Sequence, residues 1–211
     1  MAKKSDAENK PTKKEENPEH GLSGSEANER MSKYRHNELS EEKINPVMKK
    51  IESLITTFSN KEGWKRKRAR LALVDIGKPA VPYLIKAMKH HKAEVRWEAV
   101  KTLGAIRDSR SGPDMVSALT DKNFEIRWLA AEGLIALKLG AIKPLLKALI
   151  KTPESWELRQ GAHHVLHALE RTHLLNKSCI NLLNNLRGLD QEISVPLAAN
   201  AALRSLFKPD K

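Results

Sequence analysis

The sequence predicts an all-α protein: a right-handed α-α superhelix of stacked helical hairpins with a disordered N-terminal tail. Three observations predict it. A motif recurs at intervals of 30, 31, 32 and 37 residues, a period that marks a solenoid of helical pairs. Apolar residues from Ile44 to Phe58 fall at i, i+3, i+4 and i+7, the spacing of one helix face, and each later copy sets a Leu four residues after an Ala. Aromatics are scarce at 4% and Leu and Ala dominate the apolar set, which suits helices better than strands.

Residues 1–43 are rich in Lys, Glu, Asn and Ser, and they include Pro11, Pro18, Gly21 and Gly24. Their sizeable apolar residues are only Met1, Leu22, Met31, Tyr34 and Leu39, too few to offset the entropy of ordering, which predicts a disordered tail. The folded domain is expected over 44–211. Ile44, Val47, Met48, Ile51, Leu54, Ile55 and Phe58 outline an amphipathic capping helix over 44–60, with Asn45 as N-cap and Pro46 at its first position.

The repeat follows. Lys65-Arg66-Lys67-Arg68-Ala69 with Leu73 aligns with Val95-Arg96-Trp97-Glu98-Ala99 with Leu103. Ile126-Arg127-Trp128-Leu129-Ala130 with Leu134 comes next, then Leu158-Arg159-Gln160-Gly161-Ala162 with Leu166. Val195-Pro196-Leu197-Ala198-Ala199 with Leu203 forms a divergent last copy. The small Ala marks a close approach of two helix backbones, and the Leu four residues on fills the core below it. Second halves such as Ala80-Val81-Pro82-Tyr83-Leu84 and Ala141-Ile142-Lys143-Pro144-Leu145 open with proline, and short links demand antiparallel hairpins. Repeats are expected at about 64–92, 94–122, 124–152 and 156–190, with a C-terminal helix over 192–207.

Val95-Arg96-x-x-Ala99-x-x-x-Leu103-Gly104-x-Ile106, together with Ala80-Val81-Pro82-x-Leu84-Ile85-x-Ala87, resembles the HEAT-like repeat of the phycobiliprotein-lyase type over about residues 64–207. The resemblance implies the fold; for function it leaves scaffold, adaptor and enzyme open. It also implies that the recurrent arginines Arg96, Arg127 and Arg159 tie neighbouring repeats together through acidic partners. Deoxyhypusine hydroxylase, a di-iron enzyme of this fold, places His-Glu pairs straight after the same arginine. The corresponding pairs here are Lys67-Arg68, Trp97-Glu98, Trp128-Leu129, Gln160-Gly161 and Leu197-Ala198, which excludes that activity.

The net charge of +12 is unevenly spread. Residues 1–43 carry −1, 44–92 carry +9, 93–151 carry +3 and 152–211 carry +1, so the excess sits on the first hairpins. Such a surface attracts nucleic acid, acidic lipid or acidic protein. The single cysteine, Cys179, excludes an intramolecular disulfide and a Cys-rich zinc site, and reads as a small core residue. Without an apolar run of membrane-spanning length or a secretory leader, a cytoplasmic protein is expected.

Trp97 and Trp128 occupy equivalent positions where other copies place Lys67 and Gln160, so they are expected to be at least half exposed. As such they would serve a partner, with Lys86 and Lys89, or else lie over neighbouring side chains. Trp64 and Trp156 begin helices and read as staples of hairpin entry. Lys65, Arg66, Lys67, Arg68 and Arg70, with Lys92, are the candidates for phosphate contact, against the plainer reading of a solvated helix face. His163, His167 and Glu170 share a face, but no His-Glu-x-x-His surrounds them, so no metal site is expected. No catalytic residue or cofactor motif stands out. The expected function is therefore a monomeric, non-catalytic scaffold or adaptor that binds another protein. Nucleic-acid binding through the first repeats is the alternative, and a lyase-type or accessory role on a protein-bound substrate a further one.

Overall fold

The computed structural model describes residues 41–206, with side chains from Pro46 onward. The chain divides into two units, 1–46 and 47–211. Residues 1–40, most of the polar stretch read as a tail, lie outside the described residues, whereas 41–43 of that stretch belong to the first helix.

Ten α-helices follow one another, and no strand occurs among the described residues: α1 Glu41–Thr56, α2 Gly63–Ile76, α3 Val81–Ala87, α4 Ala93–Ile106, α5 Gly112–Ala118, α6 Phe124–Leu137, α7 Ile142–Lys151, α8 Trp156–Glu170, α9 Lys177–Asn185 and α10 Gln191–Ser205. The first helix corrects one expectation. It begins at Glu41, so Pro46 lies inside it rather than at its first position. Starts of other helices carry side-chain caps: Asn123 accepts from the Glu125 N–H, Ser155 from Leu158 and Asn176 from Cys179.

Helices α2, α4, α6 and α8 stack in sequence as one layer, while α5 packs on α7 in a second. Each of α3 and α5 leans on the first helix of the following hairpin, α4 and α6 respectively. A hairpin thus completes its core only with its neighbour, which is why the unit must repeat. The motif residues lie at these seams. Ala69, Ala99, Ala130 and Ala162 are buried, and Leu73, Leu103, Leu134 and Leu166 are fully so. At Gly104 the close approach is specific, since an added Cβ would lie 3.3 Å from the Gly133 Cα on α6.

First-layer helices end in a recurrent left-handed residue: Gly77 at φ 69°, Arg107 at 58° and Lys138 at 52°. Only the first of these is the glycine that positive φ favours.

The C-terminal end departs from the repeat. Val195–Leu203 matches the first-helix motif, yet α10 does not stack on α8; it lies against α7 and α9. It thereby occupies the second-layer place after α7, and α9 is an inserted helix packed on α8 and α10. Ala198, Ala199 and Ala202, all buried, let α10 approach both neighbours. The 37-residue last interval is the sequence trace of this insertion.

Candidate functional site

The recurrent arginine has one conserved geometry across four hairpins. In each, a guanidinium nitrogen donates to carbonyls five or six residues earlier, in the loop that enters its own helix. Arg66 reaches Asn60 (2.8 Å) and Lys61 (3.1 Å), and Arg96 reaches His90 (2.9 Å) and His91 (3.1 Å). Arg127 reaches Asp121 at 2.8 Å, and Arg159 reaches Pro153. These loops carry carbonyls left over from the preceding helix, and a fixed cation satisfies them.

The link to the adjacent hairpin varies. Arg96 makes a two-pronged ion pair with Asp121, at 2.7 and 3.0 Å, with both side chains largely buried. Burial raises the Asp121 pKa, but hydrogen bonds from Arg96 and the Asn123 N–H outweigh it and leave it below the usual carboxylate range. Arg159 bonds to Gln191 at 3.1 Å, and Arg127 lies over Phe124, 5.5 Å from its ring centre. The residue 25 positions after Arg127 is Thr152 where Arg96 finds Asp121, so no carboxylate waits there.

The basic run is divided by the fold. Glu98 on α4 is only 3% exposed and receives both Arg66 and Arg70, which stand one turn apart on α2. Both guanidinium groups face this buried carboxylate, which offsets one of their two charges. Lys65 pairs with Glu62 at 2.8 Å, while Lys67, Arg68 and Lys92 are exposed. Lys86 is exposed beside α1, and Lys89 approaches Asp114 at 3.5 Å.

The two register tryptophans differ. Trp97 packs partly against the core, with the Lys101 ammonium 4.4 Å and the Arg70 guanidinium 5.8 Å from its ring. Trp128 is 49% exposed. Its ring meets His164 at 4.7 Å, and His164 Nε2 lies 3.0 Å from a Glu132 oxygen. Trp64 and Trp156 are 61% and 59% exposed, more open than staples of hairpin entry were expected to be.

Sequence reasoning missed the groove these aromatics border. Between α6 and α8 a cavity of about 260 Å³ has Leu119, Ala131 and Gly161 at its floor and Phe124, Trp128 and His164 along its walls. Gln160 and His163 also line the next groove, which continues to Trp156 and Arg187. Phe124 is 62% exposed and stands four residues before Trp128 on α6. Gly161 leaves the floor open to Leu119, whose side chain would lie 2.8 Å from an added Cβ. His163 is held below the ordinary histidine pKa by burial and by Arg187, whose Nε donates to it at 3.1 Å. Neutral His163 is thus an acceptor rather than a charge. Among the described residues no group of three or more His, Cys, Asp or Glu is placed to hold a metal ion.

Stacked helical hairpins of this kind form an α-solenoid of the HEAT-like class. Residues 51–134 match the family model for HEAT repeats, and the same hairpin unit continues through α7. Residues 3–58, most of them outside the described region, also match the model of the cation transporter/ATPase N-terminus. No curated protein matches the sequence. Among solved structures, a chain in the complex of CpcE and CpcF of phycocyanin lyase from Nostoc sp. PCC7120 is 27% identical. The match covers 72% of this chain and 96% of that one, with a TM-score of 0.49. An engineered protein is 22% identical over 76% of this chain and 48% of its own, with a TM-score of 0.38. A designed armadillo repeat protein is 14% identical over 73% and 98%, with a TM-score of 0.32. No helix among the described residues is long and apolar enough to cross a membrane.

Proposed function

We propose that this chain is a non-catalytic scaffold that holds another protein against the aromatic face of α6 and α8. One observation supports the reading above others. Phe124, Trp128 and Trp156 stand 62%, 49% and 59% exposed around the connected grooves that flank α8. An aromatic side chain buries about 150–250 Å² when covered. Each half-exposed ring therefore leaves roughly 2 kcal/mol of transfer free energy for a partner to recover. Large rigid aromatics beside polar groups are the composition of binding hot spots.

The test is affinity capture with the full chain and with a Phe124→Ser/Trp128→Ser variant, with nucleic acid and protein both quantified. The expected result is a protein that survives nuclease treatment, binds again when purified, and is lost with the variant. Retention of nucleic acid instead, or of the same protein by both chains, refutes the reading.

A further inference from the structure

A second groove lies between α5 and α7, on the layer opposite the aromatics, with a volume of about 650 Å³. Its rim on one side is Lys143, Lys147 and Lys151, at i, i+4 and i+8 of α7. This spacing sets the three side chains along one face of α7, their Cα atoms about 6 Å apart from the helical rise of 1.5 Å per residue. Val116, Pro144 and Ala148 supply an apolar floor, and Ser117 and Thr120 border the other side. Among the described residues no carboxylate lines the groove. The nearby Asp114 and Asp121 face Lys89 and Arg96 respectively. Lys147 and Lys151 are exposed, and no described carboxylate pairs with either.

We propose that this groove is a docking site for an acidic amphipathic helix of a protein partner. The charge pattern selects that occupant. A helix lying along α7 with Glu or Asp at every fourth position repeats its charges at the same 6 Å step as the lysines. The same helix presents an apolar stripe beside that acidic edge, and the stripe covers Val116, Pro144 and Ala148. A nucleic-acid backbone would use the lysines but leave the apolar floor uncovered, so the floor favours the peptide. The inference rests on the reading of the chain as a protein binder, yet it uses the other layer of helices.

The experiment titrates the full chain into a fluorescently labelled synthetic helix with Glu at every fourth position beside a Leu stripe, read by anisotropy. A scrambled peptide of the same composition and a labelled DNA duplex are run in parallel. Saturable binding is expected for the amphipathic helix alone. Lys147→Glu/Lys151→Glu should weaken it about tenfold, the sum of two partly exposed charge contacts. A peptide with Lys in place of Glu should bind that variant better than it binds the unaltered chain. Circular dichroism of the variant should match the unaltered chain, because both positions face water. Phe124→Ser/Trp128→Ser should leave this binding unchanged, which separates failure here from failure of the aromatic face. Equal binding of the scrambled peptide, absence of saturable binding, or duplex binding with the same dependence on Lys147 and Lys151 would overturn the proposal.

Discussion

Replacing Glu98 by Gln is the sharpest perturbation the fold offers. The substitution keeps the shape of the side chain and removes one charge from a site 3% exposed. Arg66 and Arg70 then face a neutral amide, with their side chains only 26% and 14% exposed. Breaking one side of a buried ion pair costs about 3–5 kcal/mol, because a charge remains without its counterion in a poorly solvated place. Arg66 keeps its bonds to the Asn60 and Lys61 carbonyls and can turn part of its guanidinium to water, which reduces the loss. The expected cost is therefore about 2–3 kcal/mol, most of it at Arg70. Urea denaturation followed by circular dichroism measures it as a lower midpoint at unchanged slope. Glu94→Gln, one turn earlier and exposed, is the control and should stay within about 0.5 kcal/mol. If the two variants lose the same stability, the Glu98 pair is not what joins the first hairpin to the second.

Two further predictions concern the loops that end first-layer helices. Lys138 holds φ 52° and ψ −127°, a conformation suited to glycine, so Lys138→Gly should raise stability by about 1 kcal/mol in the same denaturation assay, and a loss would show that the Lys side chain contributes there. The Asp108 carboxyl is held at about 2, mainly by hydrogen bonds from the Arg110 side chain and N–H. Its folded pKa lies below the unfolded value of about 3.9, so its contribution is present above pH 4 and is lost as pH falls towards 2. Stability measured across that window should decline less in Asp108→Asn than in the unaltered chain, and parallel curves would contradict the assignment.

Much of this architecture could be read from residue order, because the physics behind it is local. A thirty-residue period, an Ala at each helix crossing and a Leu one turn later follow from helix geometry, and these positions are buried as read. The loop clamp of the recurrent arginine was legible only in part. The resemblance to HEAT-like repeats implied a structural role for it, but its acceptors are backbone carbonyls, which leave no trace in residue identity.

Residue order alone carries the repeating unit and the faces of its helices, since both depend on contacts within about one turn or one hairpin. Only the tertiary structure decided three other matters: that Glu98 receives both Arg66 and Arg70 of the basic run, that Trp128 stays open while Trp97 is partly covered, and that α10 leaves the first layer for the second. The reason is common to all three. Each depends on which side chain of a neighbouring hairpin arrives opposite, and that meeting is set by how the hairpins stack rather than by any pattern inside one of them.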